Sequence, residues 1–339
     1  MRDLFNLHNF YNIDIFNKSS KKPYITCKSF GYQVLGFGSG ETPITLTGDF
    51  DYLLIAGGSA GGTAACGTSA GGGGAGGYLE SFCTPGTPAF SVYGDISVII
   101  GAGGSAAIPV GSNNTGGVNS TIVDGLGTTI TGIGGGLGAG RDIGPTTPIA
   151  GQPGGSGGGG IGGRRSPAPT INAGASLCGQ GNAGGSGSYN CAGAPSGGRG
   201  AGGGGGAGSV GNAASQGGPG GNGKASSITN SPVTRAGGGG GGNYAIAGGG
   251  TGGPGGGGTG GDGSPGQGCN GTVNLGGGGG GGGSGGDSCT NSGTGGSGVA
   301  YLRYPTSITG TISPGTNTIA CAPCSTKVAT FTVSGSLTF

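Results

Sequence analysis

Short apolar runs rich in β-branched residues stand at both ends of the chain, and a long glycine-rich stretch separates them. Each run is bounded by Gly or Pro, a pattern that predicts β-strands. GVAYLRY at 298–304 predicts a last strand that returns to the sheet after a long excursion, as in many β-sandwiches. The earlier runs are PYITCKSF, YQVLGF, PITLTG and DYLLIA within residues 23–56, then YLESFC (78–83), AFSVY (89–93), DISVIIG (95–101) and STIVD (120–124).

The two ends of the chain extend beyond this set of strands. Residues 1–22 mix aromatic side chains with lysines, which fits either an amphipathic arm that docks on another subunit or a partly ordered terminus. In residues 306–339, KVATFTVSGSLTF alternates polar and apolar positions, the signature of a half-buried strand. We expect an appended hairpin or an exchanged strand there. The predicted domains are therefore 1–22, 23–305 and 306–339.

The excursion from about residue 125 to 297 consists largely of glycine. The chain has 102 Gly in 339 residues, far above the roughly 7% of ordinary proteins. A strict Gly-X-Y repeat is absent, which excludes collagen, and each Gly disfavours an α-helix by about 1 kcal/mol relative to Ala. The remaining ordered arrangement is a bundle of polyglycine II helices, which have three residues per turn and make hydrogen bonds only to their neighbours.

The predicted fold class is therefore all-β, with negligible α-helix. A small β-sandwich frames the polyglycine II bundle, and long irregular Gly-rich loops connect the parts. Side chains inside the bundle are expected only where a helix faces solvent, as at Asn222, Thr259 and Asp262. Turns between helices are expected at SPAPT (166–170) and TNSPVTR (229–235).

Composition limits the classes of function. The net charge is +2, charged residues make up 7% and hydrophobic residues 31%, so the chain lacks the self-repulsion of a typical disordered segment. The same weak charge argues against a nucleic-acid partner. No stretch of about 18 apolar residues predicts a membrane span, and the N-terminal sequence does not resemble a secretory signal. A surface protein without a signal is normal for a virus that assembles in the cytoplasm.

Candidate chemistry is sparse. His8 is the single histidine, which excludes histidine-based triads and metal sites. Asp142, Asp262 and Asp287 in the Gly-rich half are isolated in sequence and are interpreted as solvated loop positions. GxGxxG matches carry little information in so glycine-rich a chain. The sequence thus predicts no enzyme, with no catalytic, cofactor-binding or metal-binding residue and no cofactor.

Nine cysteines, an odd number, leave at least one thiol free or paired outside the chain. Cys321 and Cys324 have C-x-x-C spacing, but they lie in a Pro-containing turn between β-prone runs rather than at a helix N-terminus. A local disulfide or two free thiols is favoured over a redox site or half of a zinc site. The nine are Cys27, Cys66, Cys83, Cys178, Cys191, Cys269, Cys289, Cys321 and Cys324.

Several phrases occur in a set order along the chain: DYLLIAGGSAGG (51–62), AGGGGAGGYL (70–79), ISVIIGAGG (96–104), NSTIVDG (119–125), AGGGGGGN (236–243) and GGSGVAYLRYP (295–305). This order resembles the glycine-rich domain of phage and giant-virus structural proteins, including tail-fibre proteins. It is also similar to the extracellular glycine-rich region of anaplastic-lymphoma-kinase-type receptors. The resemblance implies a β-sandwich that frames packed polyglycine helices, and it implies no catalytic residues.

The resemblance implies a virion structural protein, as a fibre, tip or capsid-associated component on the virion surface. Its expected partners are other copies of itself, a capsid or tail protein, and a host surface receptor if the role is attachment. The alternatives are an ice-binding protein and a glycine-rich protein of the extracellular matrix or cell wall.

Overall fold

The computed structural model describes residues 45–64, 67–84, 87, 89–106, 114–141, 148–163, 172–188, 199–214, 216–244, 248–263, 266–285 and 289–339. The described residues contain strands and extended segments and no helix, which confirms the all-β prediction. The predicted N-terminal arm and the strands predicted before residue 45 lie outside the described residues, as do Asp142, Asp287, Cys27, Cys66, Cys191 and the predicted turn at 166–170.

Seventeen strands are described, and in chain order they are β1 (Leu46–Ile55), β2 (Thr68–Ser69), β3 (Tyr78–Glu80), β4 (Phe90–Tyr93), β5 (Ile96–Ile99), β6 (Ser120–Val123), β7 (Thr129–Gly132), β8 (Gly140–Arg141), β9 (Pro148–Ile149), β10 (Gly162–Gly163), β11 (Lys224–Ser226), β12 (Val233–Arg235), β13 (Val299–Pro305), β14 (Thr311–Ser313), β15 (Thr318–Ala322), β16 (Thr326–Phe331) and β17 (Gly335–Thr338).

Two antiparallel sheets dominate. The first sheet has the order β15-β16-β13-β1-β3, and β4 also pairs with β1. The second sheet has the order β14-β17-β5-β6-β7. The first sheet includes the predicted return: β13 pairs along β1, with Leu54 opposite Ala300. Three two-stranded pairs, β10-β2, β11-β12 and β8-β9, lie outside these sheets.

The first sheet is buried on both faces. Along β1, Tyr52 and Leu54 belong to a core cluster shared with Val98 and Ile122 of the second sheet. Leu53 and Ile55 point the other way, into a second cluster with residues of the Gly-rich region such as Ile228. Because a strand covered on both faces carries apolar residues at every position, the run Leu53-Leu54-Ile55 is continuous rather than alternating.

Two predictions of strand extent were wrong. PITLTG and DYLLIA were interpreted as separate strands, but β1 runs through Leu46–Ile55 and absorbs the glycine between them at an irregularity near Gly48. The alternating run at 327–339 was interpreted as one strand, but β16 pairs with β13 in the first sheet and β17 pairs with β5 in the second. Asn317 stabilises the crossing, because its side-chain oxygen accepts from the amides of Thr332 and Val333.

The C-terminal segment completes both sheets, with β15 and β16 in the first and β14 and β17 in the second. The domain boundary placed after residue 305 stays a prediction. TNSPVTR (229–235), predicted as a turn between helices, contains β12, which forms a hairpin with β11. The reason is packing: Ile228 in the hairpin turn is buried in the second core cluster, and Arg235 at the end of β12 is buried against Tyr301 of β13, and such burial favours strand pairing over an open turn.

Candidate functional site

Residues 70–77, here called the central segment, show how the Gly-rich region is held together. Their amides donate along the segment to three other segments in rotation, with N···O distances of 2.7 to 3.1 Å. The first partner segment provides the carbonyls of residues 139, 136 and 133, which accept from Gly71, Gly74 and Gly77 in that order. The second provides the carbonyls of residues 202 and 205, which accept from Gly72 and Ala75. The third provides the carbonyls of residues 282, 279 and 276, which accept from Ala70, Gly73 and Gly76.

The carbonyls of the central segment follow the same rotation with three further segments. From the first segment, the amides of residues 56, 59 and 62 donate to the carbonyls of residues 77, 74 and 71, in that order. From the second, the amides of residues 156 and 159 donate to the carbonyls of residues 75 and 72. From the third, the amides of residues 239 and 242 donate to the carbonyls of residues 73 and 70. In a β-strand, the main-chain hydrogen bonds alternate between two sides with a repeat of two residues, and in an α-helix they are made within the helix. Neither structure therefore produces this pattern. A repeat of three with bonds only to neighbours is the period of a polyproline-type helix.

Backbone approach leaves no room for side chains here. A Cβ built on any glycine of residues 71–77 would lie 2.0 to 2.5 Å from an oxygen of a neighbouring segment or of Gln180. Ala75 carries a Cβ because its position faces the second core cluster instead. Glycine is therefore required in this segment because its neighbours approach closely on every side.

Side chains in the Gly-rich region occur both at the surface and inside it, so the expectation that they occur only where a segment faces solvent was wrong: Ser156, Ile161 and Asn243 are buried. Asn222, Thr259 and Asp262 are exposed, as the sequence predicted. Thr251 and Pro254 are also exposed and are three residues apart, whereas Gly253 between them is buried. The exposed side chains between Thr251 and Asp262 are chemically mixed.

A cleft of about 390 Å³ lies where β3 and its following turn meet the hairpin β11-β12. Glu80 is at its centre: its carboxylate accepts from the Tyr78 hydroxyl at 2.9 Å and from the Ser226 hydroxyl. Burial, followed by the charge of Glu80, raises the pKa of the Tyr78 hydroxyl well above its ordinary value. Lys224 lies at the cleft edge with its ammonium 5.0 Å from the centre of the Tyr78 ring.

Two buried arginines join the residues around the cleft to the first sheet through hydrogen bonds and cation–aromatic contacts. Arg303 on β13 donates to the carbonyls of Ile228 and Pro323, each at 3.1 Å, and lies over the Phe82 ring at 4.8 Å. Arg235 on β12 lies over the Tyr301 ring at 4.6 Å and donates to its hydroxyl at 3.0 Å. Cation–aromatic contacts at desolvated sites contribute about 2 kcal/mol each. The cleft is thus an open polar groove in which both oxygens of the Glu80 carboxylate are already hydrogen-bonded, to the hydroxyls of Tyr78 and Ser226.

The sequence analysis missed this cleft. Its residues come from two stretches about 140 positions apart, 80–84 and 224–227, which only the fold brings together. The one available signal was the pair of isolated charges, Glu80 and Lys224, in a nearly uncharged chain.

Of the three isolated carboxylates singled out in the sequence, Asp262 is the one within the described residues. Asp262 is exposed in a separate shallow groove lined mostly by glycine. Cys321 and Cys324 are exposed thiols with no disulfide between them, which is one of the two favoured alternatives. Cys83, Cys178 and Cys269 are likewise free and exposed. Within the described ranges, no cluster of three His, Cys, Asp or Glu residues could hold a metal ion, and no helix has the length and apolarity to span a membrane.

A family model described as "Glycine-rich domain" matches residues 39–305. The chain belongs to this glycine-rich domain family. The matched range begins just before β1 and ends with the last residue of β13, so it includes the central segment and the returning strand. No curated protein and no solved structure gives a significant match to the chain.

Proposed function

We propose that this glycine-rich domain protein is a structural component of a virus particle, in which the Gly-rich region serves as a stiff, nearly neutral scaffold. The observation that carries the proposal is the central segment, whose main chain bonds to six neighbouring segments with no space for a side chain at any of its glycines. We assign these segments to the polyglycine II conformation, because their partners rotate with its period of three.

Stiffness follows from the direction of the bonds. Hydrogen bonds that leave a segment in three directions resist sliding and bending in all of them, and deforming the region requires breaking several together. The described surface adds few charges, consistent with a part that packs among other subunits. The order of sequence phrases that resembles phage and giant-virus proteins supports placing that part in a virion.

The virion role is tested by locating the protein. Particles purified on a density gradient from the source culture would be analysed by quantitative mass spectrometry, before and after surface proteolysis. We expect this chain at a fixed copy number per particle and cleavage of it on intact particles. Recovery in the cell-wall or matrix fraction, with none in the particles, would overturn the proposal.

An ice-binding role draws less support from the surface. A regular ice-binding face needs one residue type repeated at constant spacing, whereas Thr251, Pro254, Thr259 and Asp262 differ in chemistry. Thermal hysteresis in a solution of the purified protein would revive that alternative.

A further inference from the structure

The two sheets are closed at one side of the sandwich and open at the other. At the closed side, Gln180 serves both sheets at once. Its main-chain carbonyl accepts from the Tyr78 amide of β3 at 2.9 Å. Its side chain accepts from the Ile133 amide at 2.8 Å and donates to the Thr131 carbonyl of β7 at 3.0 Å. One residue therefore bonds to a main-chain group on each of two edge strands, β3 and β7.

Two other edge strands of these sheets, β4 and β14, are also protected. The Tyr93 carbonyl of β4 accepts from the Gly125 amide at 2.7 Å. β14 has three residues and stops at Ser313, directly before Pro314. Short length, proline and covering loops are the usual means by which proteins prevent edge strands from pairing with other chains.

β15, although it too is followed directly by a proline (Pro323), is longer than β14 and has no loop hydrogen-bonded to its outer side among the described residues. It ends the first sheet, and in the described part of the chain its main chain pairs with β16 alone. Its five residues, Thr-Ile-Ala-Cys-Ala, include no charge and no proline, and Thr318, Ala320 and Cys321 are exposed. In an antiparallel sheet, alternate residues of an edge strand direct their N–H and C=O groups outward, so β15 presents unused donors and acceptors in a row.

We propose that β15 pairs antiparallel with β15 of a second copy of this chain, which joins the two first sheets into one continuous sheet. The sequence of the strand favours itself as partner. With a twofold axis at Ala320, all five residues are paired: Ala320 faces Ala320, Ile319 faces Cys321 and Thr318 faces Ala322. No like charges meet across this axis, whereas a charge at its centre would face its own copy.

This interface does not depend on the virion assignment, since it follows from the sheet edge alone. The dimer supplies the self-association that a structural protein needs. If no dimer is found, the proposals of a glycine scaffold and of a place in the virion are not affected. Because one five-residue strand is a small interface, we expect a dimer of modest affinity, in the micromolar range.

Sedimentation velocity of the full chain under reducing conditions tests the proposal, over a series of concentrations up to about 100 µM. We expect the dimer fraction to rise with concentration. Ala320→Lys and Ala320→Glu should each weaken dimerisation at least about tenfold, because each places like charges across the axis. An equimolar mixture of the two variants should restore the dimer, since Lys then faces Glu.

Thr338→Lys is the matched control, because Thr338 is exposed but lies on β17, which is paired on both sides. It should leave dimerisation unchanged. A wild-type chain that stays monomeric throughout the series overturns the proposal. So does a monomer whose β15 amides exchange slowly with deuterium, since another segment of the same chain would then cover the edge. Equal weakening by Thr338→Lys, or a mixture that does not recover, also contradicts it.

Discussion

Replacing Gly72 by alanine inserts one methyl group into the most crowded part of the Gly-rich region. The new Cβ would lie 2.1 Å from the Gly239 carbonyl oxygen and 2.8 Å from that of Gly240. Both are main-chain atoms, which cannot rotate away as a side chain can. The segments must therefore move apart by about 1 Å to reach ordinary contact distances.

That movement has a calculable cost. Gly239 donates to the Gly73 carbonyl and Gly242 to the Ala70 carbonyl, each at 2.9 Å, and separation of these two segments would lengthen both bonds beyond useful range. Overpacking costs about 1 to 3 kcal/mol, and each lost hydrogen bond about 1 kcal/mol. We expect Gly72→Ala to lower the free energy of unfolding by roughly 3 to 5 kcal/mol, and Tm by roughly 6 °C or more.

Gly315→Ala is the matched control. No atom lies within 4 Å of a Cβ added at Gly315, and its φ is not in the left-handed region. Alanine there should be neutral or stabilise by up to about 1 kcal/mol, since it restricts the unfolded chain. Differential scanning calorimetry of both variants makes the comparison. Equal Tm values for the two variants would refute the reasoning that close backbone approach requires glycine in the central segment.

Three further predictions concern named side chains. Tyr304→Phe should raise the free energy of unfolding by about 1 kcal/mol in chemical denaturation, because its buried hydroxyl has no hydrogen-bond partner among the described residues; a loss of stability would indicate a partner. Gln180→Ala should cost about 2 to 4 kcal/mol, since it removes the side-chain partner of the Ile133 amide and the Thr131 carbonyl while the main-chain bond to Tyr78 is kept, whereas Gln152→Ala at an exposed site should cost little, and similar losses would contradict the edge-closing role. The raised pKa of Tyr78 keeps its hydroxyl protonated in the folded state. The contribution of this hydroxyl to the free energy of unfolding is therefore complete below the unfolded-state pKa of about 10 and is lost as pH rises above that value. Tyr78→Phe should flatten the fall of Tm at alkaline pH, and a pH profile of Tm that does not change would contradict this prediction.

The strands were predictable to different degrees. DYLLIA and GVAYLRY have strong local signals, and the structure pairs them along β1 and β13. The break between β16 and β17 was not predictable, because polar–apolar alternation continues unchanged through the crossing. It is fixed instead by Asn317, whose side chain binds the amides of 332 and 333. Long-range contacts of this kind leave no trace in a periodic pattern.

The Gly-rich region was predictable in kind but not in connectivity. Composition excludes helix and collagen, and the need to satisfy main-chain groups points to lateral hydrogen bonding. The sequence does not predict which segments become neighbours, because runs of glycine are nearly identical to one another. The cleft beside Glu80 was missed for a related reason: its support comes from Arg303, whose partners Ile228 and Pro323 are distant in sequence.

Amide hydrogen exchange of residues 70–77 tests the central claim most directly. If the main chain of this segment is bonded to neighbours on all sides, its amides should exchange only when the whole domain unfolds, far more slowly than the amides of Gly315 and Thr316 in an exposed turn. Exchange of residues 70–77 at the rate of that turn, in protein that is otherwise folded, would contradict a hydrogen-bonded glycine scaffold.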